Sequence, residues 1–160
     1  MRYYDVAVAA TTSPRPELGL LLRLAHQRAA KAFNEALQPL AIEGRHFGVL
    51  MILARRGPLT QSQLIAELGS DKSSMVRTVD DLERLALCKR QPVLGDRRAR
   101  TIELTAHGRE TFTAAKVVAQ QVADDLFDCL TLDEQATLAD LLQRFVQAGL
   151  AKVEGSRTLT

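Results

Sequence analysis

The chain has 160 residues, 46% hydrophobic and 25% charged, with a formal net charge of +2; that suits one soluble domain with a real core and is tight for two. Aromatic residues make up 4%, there is no Trp, and Ala and Leu are abundant, which favours helix over strand. No apolar run approaches the ~18 residues of a membrane span, Asp5 interrupts an apolar stretch too short to read as a secretory signal, and two cysteines make no disulfide framework, so a cytoplasmic protein is expected.

Residues 1–16 end in Ser-Pro-Arg-Pro and read as a flexible arm. Beyond them Leu18, Leu22, Ala25, Ala29, Phe33, Ala36 and Leu40 recur every three or four positions, one face of a long helix that stops near Pro39. A second helix covers about 44–56; its centre, residues 49–54, is apolar all round and is expected to be buried on every side. Gly57-Pro58 breaks it, and Thr60 is a good N-cap for a short third helix over 61–68. After Gly69-Ser70, either Ser70 or Asp71 caps a fourth helix that runs to about Leu85. Two short strands follow, near 87–90 and 101–104, around a loop with Pro92, Gly95 and Asp96. Thr105 caps a fifth helix in which Phe112, Ala115, Ala119, Val122, Leu126 and Cys129 keep the heptad spacing that asks for a partner helix. Thr131-Leu132-Asp133-Glu134 is a capping box for a sixth. That helix is expected to bury Leu138, Leu141, Leu142 and Phe145 and to fade beyond Leu150, leaving 151–160 as a frayed tail.

Two short helices joined by a Gly-containing turn and followed by a basic hairpin make a winged helix-turn-helix. Five Lys/Arg and one Asp fall between Lys89 and Arg100, a concentration of positive charge on a nearly neutral chain, which points to a polyanion partner. On the fourth helix Met75, Val79, Leu82 and Ala86 form an apolar stripe. Ser73, Arg77, Asp80 and Arg84 form a polar stripe offset by two residues, or ~200°, so it faces away from the core. The leading edge, Lys72, Ser73, Ser74 and Arg77, offers donors and small side chains suited to base edges in a major groove. At the hairpin tip, Arg97 and Arg98 are suited to a narrow minor groove, with Asp96 placed to hold Arg98 by a bidentate pair. Arg90 and Arg100 on the strands are better placed for phosphates, as are Gln61 and Ser62 at the start of the third helix.

The helix order, the Asp-x-Arg of Asp96 and Arg98, and the following Leu104-Thr105 with Gly108 resemble the MarR family of bacterial transcription regulators over nearly all of residues 18–150. The resemblance implies a mainly α fold with a small β-hairpin wing: a single six-helix winged helix-turn-helix domain over 17–150. Its dimerisation helices would be about 17–40 and 106–150, and its DNA-binding segment about 44–105. It further implies a homodimer through the N- and C-terminal helices, binding a pseudo-palindromic operator in double-stranded DNA as a ligand-responsive repressor. Asp71, Ser73, Ser74 and Arg77 then occupy recognition-helix positions, and Arg98 that of the wing arginine. One departure stands out: where the family usually carries Gly, this chain has Leu85-Ala86-Leu87. A left-handed Ala86 costs roughly 1 kcal/mol, so the helix is expected to end differently.

The family takes small, often aromatic or anionic effectors between dimerisation helices and DNA lobes, which makes His26, Arg45, His46, Phe47 and Met51 the candidates here. His46 has the alternative of a hydrogen-bonded interface residue. His26, His46 and His107 show no close metal spacing, so neither metal nor cofactor is expected. Cys88, at the start of the wing, offers a redox-sensor alternative, although its place on an apolar strand position favours a buried, inert thiol; Cys129 reads as core. A protein-interaction or antirepressor module that has lost DNA binding is a second alternative, against which the basic wing argues. A small hydrolase or redox enzyme is a third, without a nucleophile, base and acid at recognisable spacing.

Overall fold

A computed structural model describes residues 15–93 and 96–157, with side chains for 16–93 and 100–148. Most of the expected N-terminal arm (1–14), the loop residues Leu94 and Gly95, and 158–160 of the expected tail lie outside the described residues. The elements are α1 Arg15–Leu37, α2 Gly44–Arg56, β1 Leu59–Thr60, α3 Gln61–Leu68, α4 Lys72–Arg84, β2 Cys88–Val93, β3 Asp96–Leu104, α5 Ala106–Phe127 and α6 Leu132–Arg157, with a 3-10 turn at Gln38–Leu40. The described residues fall into two compact units divided between Ala119 and Gln120.

Local chemistry explains most boundaries. Thr60 accepts from the Gln63 backbone N–H while the Gln63 side chain accepts from the Thr60 N–H, closing a capping box on α3. Asp71, not Ser70, caps α4. Thr105 Oγ1 accepts from the Gly108 N–H at the start of α5, and Thr131 with Glu134 boxes the start of α6. The Glu134 carboxyl is held below its usual range by the Thr131 N–H and hydroxyl. Past Leu150, where fading was expected, α6 continues to Arg157.

The sheet has one strand more than the sequence pattern predicts. β1 pairs antiparallel with β3, Leu59 opposite Ile102, and β3 pairs with β2, giving the order β1-β3-β2. A two-residue strand carries no alternation to read; it forms because burying Leu59 against Ile102 closes the core edge. That core joins Leu37, Ile42, Val49, Leu50, Leu53, Leu64, Met75, Val79, Leu82, Leu87, Ile102, Leu104 and Ala115. α2 is not buried all round: His46, Val49, Leu50 and Leu53 face inward, Met51 and Ile52 are half-buried and Ala54 is exposed. The core elements cover only one of its sides.

Two further corrections concern α5 and α6. Cys129 is exposed, because α5 ends at Phe127 and the heptad stripe ends with it. On α6, Leu138 is half-buried, and Leu141, Leu142 and Phe145 are exposed, Phe145 to 64%. The stripe has the expected helical spacing, but among the described residues nothing covers it.

The end of α4 also differs from expectation. Ala86 adopts φ 56°, in the left-handed region. The Leu87 N–H donates to Leu82 O and the Ala86 N–H to Glu83 O, both at 2.9 Å, the paired bonds of a Schellman motif. Non-local bonds offset the cost of a left-handed Ala: Thr105 Oγ1 donates to Ala86 O at 2.7 Å, and the Thr105 N–H donates to Leu87 O at 3.1 Å. Gly108 is required beside them, since a Cβ there would lie 1.9 Å from Leu87 O. The recognition helix, the wing and α5 therefore meet in one hydrogen-bonded corner.

Candidate nucleic-acid interface

Gly69 at φ 61° ends α3 and turns the chain into α4. The amphipathicity of α4 then decides what it shows: Met75, Thr78, Val79 and Leu82 are buried, while Ser73, Arg77, Asp80 and Arg84 are exposed. At its leading edge Asp71 Oδ1 accepts from the Ser74 N–H at 2.9 Å and Oδ2 from the Ser74 hydroxyl at 2.6 Å. The hydroxyl and amide of Ser74 hold the Asp71 carboxyl below its usual range. These two predicted contact residues thus first serve each other, and Lys72, Ser73 and Arg77 stay exposed around them. Among the described residues neither Lys72 nor Arg77 has an ion-pair partner. Ser62 is exposed and Gln61 half-buried at the start of α3.

β2 and β3 form the wing. Arg100 is exposed on β3; for Asp96, Arg97 and Arg98 the strand backbone is described and the side chains lie outside the described residues. Arg90 is held from α4: Nη2 donates to Asp80 Oδ1 at 2.7 Å, Nη1 to Glu83 Oε2, and its backbone N–H to Glu83 Oε1 at 2.9 Å. Sequence reasoning missed Glu83 because its partner lies seven residues on, across a turn. Cys88 is buried under the same corner, and its thiol is pushed up to about 12 by burial and by the Glu83 charge. Such a thiol has almost no thiolate with which to react.

A second cluster joins α2 to α4. Arg45 Nη2 donates to Asp81 Oδ2 at 2.9 Å and Arg45 Nε to Glu43 at 2.9 Å, while Arg84 donates to Asp81 Oδ1 at 2.8 Å. The Arg84 bond, then the charge of Arg45, holds the Asp81 carboxyl below its usual range. Buried His46 accepts the Glu43 N–H on Nδ1 at 3.0 Å, and its Nε2 lies 3.7 Å from Asp81, too far for a hydrogen bond. Burial, then Arg45, lowers the His46 pKa. Asp81, the hub of this cluster, carries no sequence signal beyond its i,i+3 spacing to Arg84.

Of the other effector candidates, Phe47 packs between Phe33 and Phe112, at 5.1 and 5.6 Å between ring centroids. Met51 is half-buried and His26 exposed on α1. A surface depression lined by Ile52, Arg55, Arg56 and Glu67 includes none of them. Among the described residues no cluster of His, Cys, Asp and Glu could hold a metal, and no helix is long and apolar enough to cross a membrane.

Comparison with known proteins agrees with this architecture. The MarR family profile matches residues 42–99. The chain is 27% identical over 132 residues to the HTH-type transcriptional repressor NicR of Pseudomonas putida, covering 82% of this chain and 84% of NicR. Wild-type MarR from E. coli in its apo form is 30% identical, with a TM-score of 0.70 over 80% of this chain and 96% of MarR. A MarR mutant complexed with operator DNA is 28% identical, with a TM-score of 0.76 over 86% of this chain and 99% of that protein. Sharing 30% identity across almost the whole of MarR together with its winged helix-turn-helix, the chain belongs to the MarR family of DNA-binding transcriptional regulators.

Proposed function

We propose that the protein is a cytoplasmic, ligand-responsive repressor that binds a pseudo-palindromic operator as a homodimer and carries no catalytic activity. The observation that carries the DNA reading is the exposed leading edge of α4, where Lys72 and Arg77 have no carboxylate partner among the described residues. On the wing the sequence supplies Arg97, Arg98 and Arg100. In this reading Ser73 and Arg77 meet base edges in the major groove, Arg98 enters the minor groove, and Gln61, Ser62 and Arg100 meet phosphates. The MarR complex with operator DNA supports this use of the fold.

Exposed apolar side chains support the dimer. Leu18, Leu21 and Leu22 on α1, and Leu141, Phe145 and Val146 on α6, are left in water by a single chain. A second copy would cover them. An aromatic carboxylate is the effector class suited to Arg45 and Phe47, with His26, His46 and Met51 as further candidates. Arg45 lies in the Asp81 cluster, so an anion bound there would compete for the link between α2 and α4.

The test is titration of a labelled duplex selected by the protein from random-sequence DNA, against excess nonspecific competitor. Competitor-resistant binding around 10⁻⁸ M is expected, on the order of specific regulators. Arg98→Ala should weaken it, and Arg77→Ala should change the preferred base at one position of each half-site; intact affinity and selectivity in both variants would sink the reading. A panel of aromatic carboxylates added to the complex tests effector response through release of the duplex.

A further inference from the structure

Arg90 differs in its surroundings from Lys72 and Arg77. It sits on β2 opposite Ile102, and three hydrogen bonds tie it to one face of α4, two through the guanidinium and one through its own backbone N–H. Asp80 and Glu83 stand one helical turn apart, so one guanidinium can span both. The three side chains together carry a net charge of −1. A phosphate approaching Arg90 would have to displace a carboxylate that already holds it. Burial alone would lower the Arg90 pKa; the bond to Asp80 and the charge of Glu83 outweigh it and raise it, as expected of a cation whose donors are taken.

We propose that Arg90 is a positioning residue rather than a phosphate contact: with Asp80 and Glu83 it fixes the angle between the wing and the recognition helix. The proposal rests on the DNA-binding reading above and refines it. From Ile102, opposite Arg90, β3 runs about 13–17 Å to Arg98 and Arg97. A rotation of about 10° at its base would move the tip by about 3 Å, the length of a hydrogen bond. The wing arginines would then miss the groove when α4 is seated. The same geometry accounts for two carboxylates near a surface that meets phosphates, where alone they would oppose binding.

The probe is the duplex selected from random-sequence DNA by the wild-type protein, titrated at several salt concentrations with Arg90→Lys, Arg90→Gln and Glu83→Gln. A lysine keeps the charge but cannot span two carboxylates. Arg90→Lys and Arg90→Gln are therefore both expected to lose roughly tenfold in affinity, with the salt slope of the wild type. Glu83→Gln should also bind more weakly, although it removes a negative charge. Wild-type affinity in Arg90→Lys, together with a slope reduced by about one in Arg90→Gln, would make Arg90 a phosphate contact and overturn the proposal. Tighter binding by Glu83→Gln would overturn it too. Amide exchange of the DNA-free protein separates this failure from a failure of the DNA reading. Faster exchange in β2 and β3 of Arg90→Lys, with α2 unchanged, is expected whether or not the wild type selects a sequence, and unchanged exchange in the wing would refute the tether.

Discussion

The winged segment and α6 are both well-capped helical structure, yet they treat apolar side chains in opposite ways. Between Leu37 and Ala115 the chain closes a core of its own, with Leu50, Leu64, Leu82 and Val79 fully buried. Beyond Ala115 no described side chain is buried, and α6 leaves Leu132, Leu141, Phe145 and Val146 in water. The Thr131–Glu134 box and helical periodicity are enough to form α6, whereas burial needs a second surface. Forming a helix and completing a core are separate problems, and this chain solves only the first by itself in its C-terminal part.

The sharpest way to break the self-contained half is at Gly108. Adding a Cβ would place it 1.9 Å from a backbone oxygen that is already bonded to the Thr105 N–H and cannot retreat cheaply. Gly108→Ala is expected to destabilise the fold by about 3 kcal/mol or more, read as a lower urea midpoint at unchanged slope. A loss below about 1 kcal/mol would show that the corner joining α4, the wing and α5 yields more easily than its bonds suggest.

The corresponding break in the other half should leave the core alone. Phe145→Asp puts a charge on the exposed stripe of α6 without disturbing any buried contact. The dissociation constant of the proposed homodimer is expected to rise by about 30-fold or more, measured by sedimentation equilibrium, as for loss of an interface hot spot. Amide-exchange protection in α2 and α4 should stay as in the wild type. Unchanged dimerisation would remove α6 from the interface.

These two sites also mark where the sequence is legible. Thr60, Asp71, Thr105 and Thr131 are readable because a cap depends on residues within one turn. The two faces of α4 are readable because periodicity alone separates Met75, Val79 and Leu82 from Ser73, Arg77 and Asp80. β1 is not, since two residues have no period, and its partner Ile102 lies more than forty positions away. The Arg90 tether is not, because a strand residue's charge says nothing of which carboxylates face it across a turn. The stripe on α6 shows which face is apolar and leaves open what covers it.

Ala86 sharpens the comparison on a smaller scale. Its left-handed backbone is stabilised from outside the helix by Thr105, so a residue without a Cβ should relieve strain without loss of contact. Ala86→Gly is expected to stabilise the protein by up to about 1 kcal/mol, seen as a higher melting temperature. No gain, or a loss, would mean that Gly's greater freedom in the unfolded chain cancels the relief.

The smallest effect concerns His46, the one buried His of the core lobe. Its Nδ1 must be unprotonated to accept the Glu43 N–H, so a second proton would set donor against donor and cost α2 its cap. Burial first, and Arg45 next, lower its pKa in the folded state from 6.5, whereas the unfolded chain keeps the ordinary value. Between those two values the unfolded state binds more protons, so stability is present above pH 6.5 and is lost as pH falls toward the folded pKa. His46→Gln keeps an acceptor at the same capping position and removes the titration. Melting temperatures followed downward from pH 7 should therefore fall less steeply in His46→Gln than in the wild type. Parallel curves would show that His46 binds protons equally in the folded and unfolded states, and that the acid sensitivity of the fold lies with its carboxylates instead.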